Sequence, residues 1–134
     1  MQHIFFQAPI GILQISGTSS KGITSIKKVE NLGISDENCT PLNIAKIQLL
    51  EYFEGKRKSF DLLLDYGDAT DFQKSVWNIL LSIPYGKTIS YSEIANKINN
   101  PKSVRAVGLA NRQNRFAIVV PCHRVIGKGG DLTG

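Results

Sequence analysis

Three helix-start signals follow one another between Thr70 and Pro101, and they constrain this chain more than any other feature. Thr70 and Gln73 stand at capping-box spacing. Phe72, Val76, Ile79, Leu80 and Ile83 then recur at i, i+4, i+7, i+8 and i+11 until Pro84 closes the run. Trp77 lies beside that stripe and is expected in the core. After the turn PYGK, Ser90 and Glu93 repeat the capping-box spacing ahead of Ile94, Ala95 and Ile98. Asn100-Pro101 then supplies an N-cap and a first helical residue for KSVRAVGLANRQN. The second half is therefore predicted to be helical, and its last two helices form a helix-turn-helix candidate. Such pairs are commonly packing units. Here Val104, Val107 and Ala110 share one face, whereas Arg105, Gly108, Leu109 and Arg112 share another. The two arginines can reach phosphates or grooves, and Gly108 lets the backbone approach closely. RFAIVV, residues 115–120, reads as an apolar strand running into Pro121 and Cys122.

The first half has a different pattern. HIFFQAPIGILQIS and GITSIKKV are β-rich runs separated by the turn-rich GTSSKG, and they predict a small antiparallel sheet. Thr40 is expected to be the N-cap and Pro41 the first-turn proline of a helix with apolar positions at Leu42, Leu49 and Phe53, ending at Gly55. KRKSFDLLLDYGDAT is part short strand and part linker. The domain boundary is accordingly placed near Gly67, giving lobes of 1–67 and 68–134.

Charge divides the chain at the same place. Residues 1–71 carry seven Lys/Arg against nine Asp/Glu, net −2, and residues 72–134 carry nine against two, net +7. The basic half suits a polyanionic partner. No apolar run approaches the roughly 18 residues of a membrane span, and MQHIFFQAPIG lacks the charged start and cleavage site of an export signal. A cytoplasmic protein is expected, with no membrane partner. Only two cysteines, Cys39 and Cys122, occur, so at least one free thiol is expected rather than a disulfide framework. With His3 and His123 they show no zinc-site spacing, so neither a metal nor another cofactor is expected.

Cys39 has no imidazole or basic cluster beside it and reads as a small buried residue. Cys122 stands between Pro121 and His123, with Arg124 and Lys128 close behind. A free thiol of pKa about 8.5 ionises little at neutral pH, and such neighbours stabilise the thiolate. Consecutive side chains on an extended strand face opposite ways. For His123 to serve Cys122, the chain must bend at Pro121 or a water must carry the proton.

PCHRVIG at 121–127, FQKSVW at 72–77, IPYGKTISYSEIA at 83–95, PKSVRAVGLAN at 101–111 and QLLEYFEGKRKSFDL at 48–62 together resemble the methylated-DNA–protein-cysteine methyltransferases, the O6-alkylguanine-DNA alkyltransferases. The resemblance implies an α/β (α+β) protein with an N-terminal ribonuclease H-like lobe and a C-terminal winged helix-turn-helix lobe. It implies DNA repair by direct, single-turnover transfer of the alkyl group from O6-alkylguanine, and from O4-alkylthymine, to Cys122. The partner is double-stranded alkylated DNA, bound through the minor groove by a monomer that flips the damaged base out. That partner puts the protein at the nucleoid, or in the nucleus of a eukaryote. By position, Cys122 is the acceptor and His123 its base through a water. Tyr91 turns the 3′ phosphate and hydrogen-bonds the departing guanine, and Asn114 braces the motif. Arg105 fills the space of the flipped base, and Ala106, Gly108, Arg112 and Arg124 join Arg105 and Tyr91 at the DNA.

Two departures accompany the resemblance. The family has glycine before and proline after the bracing asparagine, where this chain has Gln113-Asn114-Arg115. The family also continues past LTG with a tyrosine, a small-residue substrate loop and a helix carrying the glutamate that orients the histidine. None of these lies within the 134 residues, so either a tail is absent from this sequence or the chain is a shortened variant of weak activity. Rival functions are an alkylated-DNA recognition protein, which would lack the acceptor cysteine, and an alkylation-responsive transcription regulator. A cysteine hydrolase would need a separate histidine at a plausible distance.

Overall fold

The computed structural model describes residues 1–127. It contains two compact units, one formed by Met1–Gly67 with Arg115–Ala117 and the other by Asp68–Asn114 with the described residues from 118 to 127.

In the first unit HIFFQAPIGILQIS folds back on itself. Strand β1 (Gln2–Ala8) pairs antiparallel with β2 (Gly11–Thr18) across the two-residue loop Pro9-Ile10, and β3 (Gly22–Val29) pairs antiparallel with β2. Gly11 has φ 133°, a conformation open to glycine at this tight loop. The register sets Ile4 opposite Ile15 and Ile15 opposite Ile26, with Phe6 opposite Leu13, and all five side chains are buried. Helix α1 (Thr40–Phe53) covers them with Leu42, Ala45 and Leu49. Burying each large side chain contributes about 1.5–3 kcal/mol, so this face organises the unit.

Thr40 does not cap α1. The N-cap is Cys39, extended and without a side-chain cap bond, while Pro41 still occupies the first turn, where its missing N–H costs nothing. Cys39 is fully buried, so packing rather than capping chemistry anchors this end. The outer edge of β3 is paired by two short segments. Ile23 exchanges hydrogen bonds with Leu63 and Asp65. Ile26 accepts from Ala117 N–H and donates to the Arg115 carbonyl.

The second unit begins with α2 (Asp71–Leu81), whose Thr70–Gln73 capping box is complete. Val76, Trp77 and Leu80 are buried, and Trp77 Nε1 donates to the Ala110 carbonyl at 2.9 Å, joining α2 to α4. Strand β4 (Ile89–Ser90) leads directly into α3 (Tyr91–Lys97). At that start Ser90 Oγ accepts from Glu93 N–H and donates to Glu93 Oε1. Among the described residues no helix is long and apolar enough to cross a membrane.

Two sequence expectations fail in the second half of the chain. Helix α4 is Val104–Arg112, starting later than Asn100-Pro101 predicts. The Ser103 amide and hydroxyl both donate to the Asn100 carbonyl, at 3.0 and 2.6 Å. This separate turn ends at Ser103, whose carbonyl then accepts the first helical bond from Val107. RFAIVV is not a strand. Phe116 makes a single bridge to Ile26, and Ile118 then takes φ 71°, left-handed backbone that ends any extended run. The hydrophobicity read as a strand reflects the burial of Phe116, Val119 and Val120 in turns.

Candidate active site

Cys122 sits at a bend. Pro121 has φ −81° and ψ 68°, and the Cys122 N–H donates to the Val120 carbonyl at 2.8 Å, forming an inverse γ-turn about the proline. A 3-10 turn, Cys122–Arg124, follows and is closed by Arg124 N–H to the Pro121 carbonyl at 3.0 Å. In such a turn successive side chains diverge by about 120° rather than pointing to opposite faces. A bend at Pro121 is therefore present, and the Cys122 and His123 side chains do not point to opposite faces as they would on an extended strand. Cys122 is half-buried and His123 is exposed. Although much of the residue is open to solvent, desolvation of the imidazole by the chain around it, and secondarily the positive charge of Arg124, hold the His123 pKa below its ordinary value, favouring the neutral ring that can accept a proton.

Tethers fix the bend on both sides. Upstream, Asn114 Nδ2 donates to the Val120 carbonyl at 2.7 Å. The Gln113-Asn114-Arg115 departure therefore leaves this brace intact, and the Arg115 side chain donates to the Tyr66 carbonyl at 3.2 Å within the first unit. Downstream, β5 (Val125–Ile126) pairs parallel with β4, Ile89 opposite Val125 and Ser90 opposite Ile126. Because β4 runs straight into α3, the ladder that holds the exit of the bend also holds the helix end carrying Tyr91.

Arg124 is a further tether. Its Nη1 donates to the Ile83 carbonyl at 2.8 Å, and its guanidinium lies 5.6 Å from the centroid of the Tyr85 ring. The resemblance places Arg124 at the DNA. In the structure it is held by the chain's own backbone and an aromatic face, a use for which its planar fork is suited.

Several of the other predicted residues gather on α4 and at the start of α3. Tyr91, Val104, Arg105, Gly108 and Arg112 line an open groove of about 380 Å³. A Cβ at Gly108 would come 3.9 Å from Tyr91 Cζ, an ordinary contact, so packing alone does not demand glycine there. Ala106 is exposed on α4 but does not line this groove. Asn111, which sequence reasoning passed over, is fully buried and donates from Nδ2 to the Cys122 carbonyl at 3.5 Å. Its spacing from Ala110 and Val107 carries no sign of that contact.

Comparison with known proteins matches both halves of the chain to one family. Residues 1–66 match the family model of the 6-O-methylguanine DNA methyltransferase ribonuclease-like domain, and residues 71–134 match that of the DNA-binding domain of the same proteins. A methylated-DNA–protein-cysteine methyltransferase of Methanosarcina acetivorans is 48% identical over all of this chain and 88% of its own length. One of Mycobacterium tuberculosis is 48% identical over 95% of this chain and 79% of its own. Among solved structures, Mycobacterium tuberculosis OGT in complex with DNA superposes with TM-score 0.89 at 43% identity, over 100% of this chain and 83% of that one. A mixed α/β chain with a free cysteine at a braced bend, matched in both halves to these proteins, belongs to a class of DNA-directed cysteine transferases. The chain is a member of the 6-O-methylguanine DNA methyltransferase family.

Proposed function

We propose that this protein repairs DNA by moving the alkyl group of O6-alkylguanine onto Cys122, with residues 1–67 as a ribonuclease H-like lobe and 68–134 as the DNA-binding and acceptor lobe. The observation that carries the reading is the bend at Pro121, which leaves Cys122 part-open to solvent at the start of the turn containing His123, while Asn114 and β5 hold it in place. His123, kept neutral, takes the thiol proton through a water. The thiolate attacks the alkyl carbon in line, an S–C bond forms, and the C–O6 bond breaks with its electron pair passing to the guanine. Tyr91 donates to the departing base, offsetting its developing negative charge. The product is a thioether with no activated carbonyl for water to attack, so each molecule acts once.

The groove on α4 supports a DNA contact through Arg105 and Arg112 to phosphates and the vacated base position, with Gly108 allowing close approach in the minor groove by a monomer. Binding of this kind weakens with salt and reads little sequence. O4-alkylthymine presents the same alkyl–oxygen bond and is taken as a second substrate. The place of work follows the substrate: the cytoplasm with its nucleoid, or the nucleus of a eukaryote.

The test is incubation with a duplex containing O6-methylguanine, followed by peptide mass spectrometry. Methyl appears on Cys122, limited to one equivalent. Tight binding with no transfer would instead assign the protein to recognition alone.

A further inference from the structure

We infer that Asn111 is a positioning residue for the Cys122 thiol, acting through both ends of its side-chain amide. The inference rests on the reading of Cys122 as the alkyl acceptor. Asn111 lies in the last turn of α4 with no exposed surface, beside the apolar Val107 and Ala110. Its Nδ2 donates to the Cys122 carbonyl at 3.5 Å. Oδ1 is buried and has no hydrogen-bond donor among the described residues.

A buried acceptor without a donor costs free energy comparable to a lost hydrogen bond, and a leucine of similar volume would avoid that cost. Packing therefore does not explain asparagine at this position, whereas chemistry at the neighbouring peptide does. Nδ2 and Oδ1 share one carbon, so a water bonded to Oδ1 lies close to the Cys122 peptide. Such a water gives one hydrogen to Oδ1 and the other to the His123 ring, leaving a lone pair for the Cys122 S–H. As the thiol proton passes to the water oxygen, the water's own proton passes to the imidazole. The thiolate and imidazolium remain, and no atom is gained or lost. Nδ2 meanwhile keeps the Cys122 peptide from turning the thiol away.

The test compares wild type, Asn111→Leu and Asn111→Ala. The pH dependence of Cys122 alkylation by iodoacetamide is read by peptide mass spectrometry, which separates it from the buried Cys39. Urea unfolding and methyl transfer from an O6-methylguanine duplex complete the set. For Asn111→Leu the urea midpoint stays level or rises, the alkylation profile moves to higher pH, and transfer slows about tenfold at neutral pH, the worth of one hydrogen bond. Asn111→Ala, which cannot crowd its neighbours, moves the two thiol readouts the same way. A wild-type alkylation profile in both variants overturns the inference, as does a fall in urea midpoint with wild-type transfer. Iodoacetamide needs no DNA, so a wild-type protein that fails to transfer methyl would sink the proposed function and still leave Asn111 decided.

Discussion

Replacing Arg124 by methionine separates a structural tether from a DNA contact. Methionine keeps much of the aliphatic packing but loses the charge-assisted bond to the Ile83 carbonyl and the contact with the Tyr85 ring. A hydrogen bond to a charged group is worth about 1.5–3 kcal/mol, and a cation–π contact at an exposed ring about 0.5–1 kcal/mol. Tyr85 is 53% exposed and Arg124 itself is only part-buried, so the lower end applies and the expected loss is about 2 kcal/mol. In urea, where such proteins lose about 1–3 kcal/mol per molar, the midpoint should fall by roughly 1 M. DNA affinity measured against salt should keep its wild-type slope. Arg105→Ala, which removes a groove cation, should flatten that slope by about 0.9, the signature of one phosphate contact. Arg124→Lys retains the charge but not the planar fork, so it should resemble methionine in urea. An unchanged urea midpoint in Arg124→Met, together with a flattened salt slope, would refute the tether and return Arg124 to the DNA.

Two further outcomes follow from the same geometry. Gly108→Ala meets only ordinary contact at Tyr91, so it should raise stability by about 0.5–1 kcal/mol through lower chain entropy while weakening duplex binding; a stabilised variant that binds as wild type does would remove Gly108 from the interface. His123 has a folded pKa below its ordinary value, so the unfolded chain takes up its proton first as pH falls. Stability from this group is full above the ordinary histidine value and declines as pH drops through that value towards the folded one. Urea midpoints at neutral and mildly acidic pH should therefore converge in His123→Gln, and an undiminished pH dependence in that variant would contradict the assignment.

What was legible in the chain was whatever depends on neighbours in sequence. The Thr70–Gln73 box, the Val76–Leu80 stripe and the core position of Trp77 all follow from helical spacing, and all are present. The turn at Cys122 was legible in kind, because a proline before it restricts the backbone enough to suggest a bend. The misreadings lie where a distant or irregular partner decides. Asn100-Pro101 has the composition of a helix start, but two bonds from Ser103 to one carbonyl close a separate turn first. RFAIVV has the composition of a strand, yet Ile118 turns left-handed within it. The bond from Arg124 to the Ile83 carbonyl, 41 positions away, likewise has no sign in the sequence, which offers Arg124 only as a neighbour of the thiol and, by resemblance, a DNA contact. Asn111 and Cys122 meet only after α4 and the bend have both formed.

The pairing of Arg115–Ala117 with β3 also bears on the order in which the polypeptide takes shape during synthesis. The first unit includes that segment, so its sheet is not finished when residue 67 leaves the ribosome. Until residue 117 emerges, Ile26 presents a free amide and a free carbonyl along a strand edge, the kind of surface that attracts other strands. The stretch that closes this edge lies five residues ahead of the thiol, counting from Ala117 to Cys122. The nascent chain therefore completes its oldest sheet and its reactive turn at almost the same moment.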